Sequence, residues 1–158
     1  MKAERVLVLG GTGFVGRSVC ARLAQSGRRV RVLTRDPAKA RPLRVLPSIE
    51  IAAGSPHDPQ ALAAGLDGAD ACVNLVGILH QSRRQPFEKV HVELPARIAR
   101  VMGEMGVRRL VHMSALNASA TGPSLYLASR GRGEDAIRAA ANLDATILNP
   151  SVIFGRDD

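Results

Sequence analysis

Short apolar segments alternate along this chain with longer segments in which apolar residues recur at helical spacing. The short segments are rich in Val, Leu and Ile, a composition that indicates strands buried on both faces of a parallel sheet. The pattern predicts strands at residues 5–10, 30–34, 49–53, 69–76, 107–114 and 145–148.

The longer segments predict the helices that connect these strands. Helices are expected at residues 13–25, 60–66, 87–105 and 124–141, and a short one is expected to begin at Asp36 and Pro37. Within residues 87–105, Pro95 must either kink the helix or begin its main part, because proline lacks the amide N–H. This alternation is typical of an α/β fold, a doubly wound parallel sheet of about six strands with helices on both faces. No linker interrupts it, so residues 1–158 are predicted to form one domain.

A glycine-rich turn joins the first predicted strand to the first predicted helix, with Gly10, Gly13 and Gly16 three residues apart. This context is typical of the dinucleotide-binding Rossmann fold. There the glycines permit a tight turn, close approach to a pyrophosphate and close helix packing. The helix start adds unpaired N–H groups and the positive end of the helix dipole. The residues predicted to surround the diphosphate are Gly10, Thr12, Gly13, Phe14, Val15, Gly16 and Arg17.

The end of the second strand distinguishes between the two nicotinamide cofactors. NAD sites usually carry an acidic residue there for the ribose hydroxyls, whereas this chain has Thr34, which does not repel a 2′-phosphate. Arg35 follows and can pair with that phosphate and stack on adenine, with Arg17 as a second cation. Asp36 is interpreted as a helix cap. The sequence therefore favours NADP(H), with NAD(H) as the alternative.

Composition makes several other classes of protein improbable. The formal charge is +8, but the basic residues are spread along the chain and aromatic residues make up only 3%. Nucleic-acid binding is not expected, because base stacking needs aromatic partners. Cys20 and Cys72 lie in apolar surroundings without metal-ligand spacing, so buried thiols and no metal site are predicted. No apolar segment is long enough for a transmembrane helix, and a cytoplasmic location is expected.

Four segments carry a resemblance to a known superfamily: residues 10–16 (GGTGFVG), 73–79 (VNLVGIL), 111–116 (VHMSAL) and 150–155 (PSVIFG). Through them the chain resembles the atypical, extended short-chain dehydrogenases/reductases, which include NAD-dependent epimerase/dehydratase-like domains. Within that superfamily it is similar to the group that contains the nucleotide-binding accessory subunit of respiratory complex I and its bacterial relatives.

The resemblance implies further cofactor-binding residues. The backbone of Val76, Gly77 and Ile78 would lie along the ribose and nicotinamide side of the cofactor. Pro150 and Val152 would close over the nicotinamide carboxamide. The resemblance also places a serine, Ser55, where relatives often carry an aspartate for the adenine amino group, and a hydroxyl accepts that hydrogen bond less strongly.

The resemblance also implies a catalytic set. Tyr126 would be the acid/base and Ser114 would polarise the substrate oxygen, although each also has a purely structural interpretation at the start of a helix and the end of a strand. The superfamily's Tyr-x-x-x-Lys here ends in Arg130. Arginine keeps the positive charge that holds the nicotinamide ribose, but it cannot shed a proton, so a proton relay through this position is in question.

Two functions are therefore carried forward from the sequence. The first is the NAD(P)(H)-binding domain of an oxidoreductase or an epimerase/dehydratase-like enzyme. The second is a non-catalytic NADP(H)-binding structural or redox-sensing module, with a respiratory complex or a second copy of the chain as partner and a peripheral place at the inner membrane. Family members are typically longer, so residues 1–158 resemble the cofactor half of such a protein, without the C-terminal substrate region.

Overall fold

The computed structural model describes residues 4–155. The ends of the predicted domain, residues 1–3 and 156–158, lie outside the described residues. Within that range, six parallel strands form one sheet in the order β3-β2-β1-β4-β5-β6. The strands are β1 (Arg5–Leu9), β2 (Arg29–Thr34), β3 (Ile49–Ala53), β4 (Ala71–Asn74), β5 (Arg109–Met113) and β6 (Asp144–Leu148). The predicted α/β class and strand number are confirmed, while the strands predicted at 69–76 and 107–114 are shorter because their ends turn into loops.

The strand order places the topological switch point beside β1. Residues of β1 pair on one side with β2, as Val8 does with Val32, and on the other with β4, as Leu9 does with Asn74. The chain leaves β1 toward β2 and β3, and later returns to build β4, β5 and β6 on the opposite side. Ligands of such open sheets bind in the crevice at the carboxyl ends of the strands next to this point.

Four α-helices connect the strands within the described residues: α1 (Phe14–Gln25), α2 (Pro59–Leu66), α3 (Leu94–Met105) and α4 (Leu125–Arg138). A 3₁₀ helix, Pro37–Leu43, follows β2, and a π-helical turn, Glu88–Glu93, leads directly into α3. The helix predicted at 87–105 is therefore two segments. Pro95 is the second residue of α3, so its missing N–H coincides with the change from the π-helical turn to the α-helix, and it begins the main part of the helix.

The two faces of the sheet bury two separate apolar clusters, because successive residues of a strand point to opposite faces. Val6 and Val8 of β1 belong to the cluster that packs against α1 and the 3₁₀ helix, which also contains Cys20. Leu7 and Leu9 belong to the larger cluster under α2, α3 and α4, which also contains Cys72. Both cysteines are buried free thiols on opposite faces of the sheet.

One close approach holds α4 against the π-helical turn. A Cβ atom built on Gly133 would overlap the carbonyl oxygen of His91 and lie 3.4 Å from the Cγ of Pro95. By contrast, a Cβ atom built on Gly103, on the exposed side of α3, would lie 3.5 Å from the Nδ2 atom of Asn142, an ordinary contact. The first glycine is thus required by packing and the second is not.

We predict that Gly133→Ala lowers the free energy of unfolding by about 1–3 kcal/mol, because the added methyl forces α4 away from the π-helical turn. Gly103→Ala is the matched control and should raise it by up to about 1 kcal/mol, the helix preference of alanine over glycine. Urea unfolding of both variants measures the two effects. Equal stability of the two variants would contradict the packing assigned to Gly133.

Candidate functional site

The turn after β1 has the geometry that its glycine spacing predicts. Gly10 adopts a left-handed conformation with φ of +79°, and its carbonyl oxygen accepts a hydrogen bond of 3.1 Å from the amide of Gly13. A Cβ atom built on Gly16 would overlap the Gly10 carbonyl oxygen and lie 2.6 Å from the Cα of Gly11. Glycine at position 16 therefore lets α1 begin directly against the end of the central strand.

The start of α1 is open to an anion. Gly13 precedes the helix and offers no side-chain cap, and the first turn of this fully described helix contains no acidic residue. The first amides of a helix have no intrahelical acceptor, so those of Phe14, Val15 and Gly16 carry the positive end of the helix dipole. A Cβ atom built on Gly13 would meet only the Gly10 carbonyl oxygen, at 3.3 Å. A diphosphate can therefore approach these amides closely. The next amide, of Arg17, is already bonded to the Gly13 carbonyl at 3.0 Å.

A cleft of about 190 Å³ opens at the carboxyl ends of β1, β2 and β4, next to this turn. Of the residues predicted from the sequence, those that line it are Gly10, Thr12, Arg35, Val76, Gly77 and Ile78. The structure thus brings the glycine turn, the end of the second strand and the segment after the fourth strand into one concave site.

The end of β2 gives this cleft a basic side. Arg35 and Lys39 both line it and are exposed. The neighbouring Asp36 also lines the cleft, but its carboxylate accepts the amide of Ala38 at 3.1 Å and caps the 3₁₀ helix. The hydroxyl of Thr34 is held in a local turn with the backbone of Asp36 at 3.2 Å. Each polar group next to the two cations therefore already makes a hydrogen bond within the protein.

The loop after β3 contains Ser55, the residue predicted to contact adenine. The hydroxyl of Ser55 accepts the amide of His57 at 3.2 Å, in a local turn. The cleft is lined instead by Pro56 and His57, and the Nδ1 atom of His57 is buried without a hydrogen-bond partner among the described residues. Burial of the ring, together with the nearby cations Lys89 and Arg97, lowers the pKa of His57 to about 4. His57 is therefore neutral at physiological pH.

On the other side of the switch point, Arg130 is a buried cation. The residue is only 5% exposed, and its guanidinium donates a hydrogen bond of 3.2 Å to the carbonyl of Met113. It lies 5.4 Å from the ring centroid of Tyr126, and a Cβ atom built on Gly77 would overlap its Nη2 atom. No carboxylate of residues 4–155 forms an ion pair with it, and its Nε atom has no acceptor there. The three residues Gly77, Tyr126 and Arg130 thus form one contact at the end of β4.

Ser114 lies beside a second buried ionic group. Its hydroxyl is buried and makes no hydrogen bond of good geometry among the described residues. The nearby carboxylate of Glu134 accepts from Asn149 at 2.6 Å and from Arg138 at 2.7 Å. Burial of Glu134 opposes ionisation, but Ser114, Arg138 and Asn149 outweigh it and hold the pKa of Glu134 below its usual value. A carboxylate therefore stays charged under the end of β5.

His91 connects three elements around Tyr126. Its Nε2 atom accepts the amide of Ile78 at 3.2 Å, so the proton is on Nδ1, which lies 2.9 Å from the Ser129 hydroxyl. That hydroxyl donates in turn to the carbonyl of Tyr126 at 2.8 Å. Burial and the charge of Arg130 lower the pKa of His91 to about 3. These contacts make His91 a positioning group for the loop after β4 and the start of α4.

His112, on β5, is a second buried neutral imidazole. Its Nδ1 atom lies 3.0 Å from the amide nitrogen of Asn74 on β4, whose oxygen accepts the amide of Val76 at 3.1 Å. Burial and Arg130 lower the pKa of His112 to about 4, against the opposing effect of Glu134. The segment that begins at Val76 is therefore held by the hydrogen bond from its amide to Asn74, which in turn contacts His112 on β5.

The segment after β6 returns toward the glycine turn. The carbonyl of Pro150 accepts the amide of Leu116 at 2.8 Å, which ties this segment to the loop after β5. A Cβ atom built on Gly155 would lie 3.4 Å from the ring of Phe14 at the start of α1. Val152 between them is 85% exposed. Pro150 is thus in place at the carboxyl edge of the sheet, whereas the Val152 side chain faces solvent.

A larger depression of about 580 Å³ lies at the opposite, amino edge of the sheet. Arg5, Arg29 and Arg31 line it, and Arg31 is bound to Glu50 at 3.1 Å and to carbonyl oxygens at the end of α2, including that of Asp67 at 2.8 Å. Gly68, a glycine with φ of +67° that lines this depression, follows the end of α2, so the depression faces the negative end of that helix. We therefore assign the functional site to the carboxyl edge, where the predicted residues converge.

Sequence reasoning did not find several residues of the site. Lys39, Gln85 and His57 line the cleft, and Glu134 lies beside Ser114. A signal existed for Glu134, which follows Arg130 by four residues on the same helix face. Gln85 had none, because a loop of polar residues gives no indication of where each side chain points.

The described residues contain no cluster of three or more potential metal ligands. No helix among residues 4–155 has the length and apolar character needed to cross a bilayer.

The glycine turn, the open start of α1 and the cleft at the switch point together define a dinucleotide-binding domain of the Rossmann type. Residues 10–157 match the model of the NAD(P)H-binding family. The chain belongs to this NAD(P)H-binding family.

Two curated relatives illustrate the range of proteins that the chain is similar to. It is 34% identical over 155 residues to the mitochondrial NADH dehydrogenase (ubiquinone) 1 alpha subcomplex subunit 9 of Mus musculus, covering 96% of this chain and 41% of the relative. It is also 34% identical over 154 residues to the ceramide reductase of Caulobacter vibrioides, covering 97% of this chain and 47% of the relative. These relatives confirm the resemblance found in the sequence. The chain spans less than half the length of either relative.

Solved structures show the same fold. The UDP-glucuronic acid 4-epimerase of Bacillus cereus, in complex with NAD, matches 96% of this chain and 58% of its own with a TM-score of 0.80 at 16% identity. A wide-type short-chain dehydrogenase/reductase of Veillonella parvula, in complex with NADP, matches 94% of this chain and 69% of its own with a TM-score of 0.75 at 16% identity. Neighbours of this fold thus bind either cofactor.

We predict that stability falls as the pH drops from 7 to 5. The folded-state pKa values of His57, His91 and His112 lie at about 4, 3 and 4, below the ordinary value of 6.5. Below pH 6.5 the unfolded chain therefore binds protons that the folded chain does not, and each histidine removes up to about 1.4 kcal/mol per pH unit.

Urea unfolding at a series of pH values measures this slope. His112→Asn keeps an acceptor for Asn74. It should reduce the change in unfolding free energy per pH unit by the contribution of one histidine. His80→Asn, at an exposed position, is the control and should leave the slope unchanged. An unaltered slope in His112→Asn would contradict the assignment of a neutral buried imidazole.

Proposed function

We propose that this chain binds NADP(H) at the carboxyl edge of its sheet and prefers it to NAD(H). The observation that carries the proposal is the pairing of an open α1 start with two cations, Arg35 and Lys39, in one cleft. A diphosphate fits the first group and a phosphate monoester fits the second. The helix start and the two cations therefore match the charges of a dinucleotide that carries a 2′-phosphate, and the cleft places them next to each other.

The preference for the phosphorylated cofactor rests on the charges at the end of β2. An NAD site needs an acceptor for the ribose hydroxyls at this point. Asp36 is already engaged with the Ala38 amide, and the Thr34 hydroxyl with the backbone of Asp36. Arg35 and Lys39 offer donors and positive charge to a 2′-phosphate. These groups support NADP(H) binding.

In this proposal Val76, Gly77 and Ile78 follow the cofactor along the end of β4, and Arg130 donates to the nicotinamide ribose. The unpartnered Nε of Arg130 supports this role, because a buried donor without an acceptor is costly unless a ligand supplies one. Pro150 and Val152 lie on the nicotinamide side, where the exposed Val152 has room to close. His57 and Ser55 lie on the adenine side.

A second candidate function is catalysis by the same site. The cofactor supplies a hydride donor or acceptor when bound. Tyr126 would exchange a proton with the substrate oxygen, Ser114 would donate a hydrogen bond to it, and Arg130 would fix the ribose. The specific observation in favour is that the Ser114 hydroxyl makes no hydrogen bond of good geometry among the described residues, although the Glu134 carboxylate lies beside it. Such activity would be of the oxidoreductase or epimerase/dehydratase type.

The non-catalytic alternative rests on the position of Arg130. A guanidinium does not deprotonate in proteins, so Arg130 can hold a ribose and stack near Tyr126 but cannot relay a proton. Similarity to a subunit of mitochondrial NADH dehydrogenase supports a role as an NADP(H)-holding module within, or during assembly of, a respiratory complex. A peripheral position at a membrane is part of this alternative.

We expect Arg35→Ala to weaken NADPH binding by about tenfold to a hundredfold, the loss of one or two charge-assisted hydrogen bonds. NADH affinity should change by less than about twofold, since NADH lacks the 2′-phosphate. Isothermal titration calorimetry with both cofactors measures this. Arg44→Ala is the matched control, because the Arg44 side chain donates to the Pro37 carbonyl at 3.5 Å and does not line the cleft. Equal losses for both cofactors would remove Arg35 from its proposed role, and no binding of either cofactor to the unaltered protein would refute the proposal.

Tyr126→Phe separates the catalytic from the non-catalytic function. We expect NADPH affinity within about twofold of the unaltered protein, because the phenol oxygen contributes no diphosphate contact. If the protein reduces a carbonyl or quinone substrate, kcat should fall by about a hundredfold or more, the contribution of a general acid. NADPH absorbance over a substrate panel is the measurement. Turnover that survives Tyr126→Phe would exclude Tyr126 as the acid/base.

A further inference from the structure

The segment that follows β4 carries a residue that contacts Arg35. Residues 80–86 form a compact turn in which Ser82 and Gln85 exchange backbone hydrogen bonds of 3.0 and 3.1 Å. The Ser82 hydroxyl also accepts the Gln85 amide at 3.1 Å. Gln81 closes the turn, since its side-chain oxygen accepts the amide of Phe87 at 3.3 Å. The backbone of Gln85 is therefore held from both sides.

The side chain of Gln85 reaches across the cleft to the end of β2. With the amide oriented so that its oxygen faces the guanidinium, the Gln85 Oε1 atom lies 3.0 Å from Nη1 and 3.2 Å from Nη2 of Arg35. This orientation is the one that satisfies both groups, because a guanidinium offers only donors. The side-chain oxygen of Gln85 thus accepts hydrogen bonds from both terminal nitrogens of Arg35.

From this contact we propose that Gln85 is a positioning residue that aims Arg35 at the 2′-phosphate and so sets the preference for NADP(H) over NAD(H). The inference rests on the proposed function, in which Arg35 binds that phosphate. It adds a determinant from a different part of the chain, fifty residues after Arg35 in sequence but on the opposite wall of the same cleft.

The geometry leaves Arg35 free to bind a phosphate while Gln85 holds it. A guanidinium has five N–H donors, and Gln85 uses one from each terminal nitrogen. The Nε–H and the outer hydrogens of the terminal nitrogens remain, and the edge formed by Nε and one terminal nitrogen is the one that binds a phosphate in a bidentate manner. The neutral amide of Gln85 adds no charge that would compete with the phosphate.

The charges around Arg35 support the same arrangement. No carboxylate of residues 4–155 forms an ion pair with Arg35, and the adjacent Asp36 is engaged in capping. Lys39 lines the same cleft and adds a second cation. His57, the other titratable group there, is neutral at physiological pH. An amide is therefore the group that restrains Arg35 without neutralising it.

Two substitutions test the proposal on the protein. Gln85→Ala releases Arg35, and we expect NADPH to bind about twofold to tenfold more weakly, the effect of leaving one flexible side chain to be ordered by the ligand. Gln85→Glu places a carboxylate on the Arg35 fork, so NADPH should bind at least about tenfold more weakly through competition with the phosphate. NADH affinity should stay within about twofold in both, so the ratio of the two affinities, measured by calorimetry, is the readout.

Gln81→Glu is the matched control. It adds the same charge to the same loop and keeps an oxygen acceptor for Phe87, but Gln81 does not contact Arg35. We expect it to leave the affinity ratio within about twofold, since exposed charges at a distance are screened. A ratio that stays constant in Gln85→Ala and Gln85→Glu, while the unaltered protein still prefers NADPH, would overturn this inference and leave the proposed function standing. An unaltered protein without preference for NADPH would overturn both.

Discussion

The contact on which the rest of the structure depends is the approach of α1 to the end of β1. A side chain at Gly16 would overlap the Gly10 carbonyl, and one at Gly10 would lie 2.9 Å from the backbone of Leu75 on the neighbouring β4 segment. Glycine at both positions lets the helix start, the central strand and the loop after β4 meet at one point. That meeting brings the positive end of α1 to the carboxyl edge of the sheet. Without it, α1 could not begin directly against the central strand, and its first amides would not lie beside the cleft.

Around this point the site divides into two halves with different physical character. The half between β1 and β2 is open, and its cations Arg35 and Lys39 are exposed to solvent. The half around β4 and β5 is closed, and its charge, Arg130, is buried next to the neutral His91 and His112. A buried cation without an anionic partner costs free energy, and it lowers the pKa of both imidazoles. Burial and the charge of Arg130 keep both imidazoles neutral, so neither adds a second positive charge next to the guanidinium.

The sequence predicted those parts of the fold that depend on periodicity. The strand β3 was expected and found at residues 49–53, and Pro95 and Asp36 begin helices as their chemistry suggested. The strand ends were less accurate, because hydrogen bonds such as that from Val76 to the Asn74 side chain end pairing earlier than apolar patterning indicates. Side-chain directions in loops could not be predicted. The hydroxyl of Ser55 accepts the amide two residues on, as serine does in many turns, and Gln85 contacts Arg35, fifty residues earlier in the sequence.

The division of the site explains why cofactor binding and catalysis can be separated in this fold. In the proposed function, the start of α1 and the end of β2 determine cofactor affinity. Among the contacts described above, none of their hydrogen bonds involves Ser114, Tyr126 or Arg130. In the proposed function, the arginine that stands at position 130 instead of lysine would change proton transfer at Tyr126 and would leave the first amides of α1 as they are. It keeps the buried positive charge, and with it the neutral state of His91 and the position of the loop that begins at Val76. The separation of the two groups in the structure is the reason that the proposed binding is tested at Arg35 and the proposed proton transfer at Tyr126.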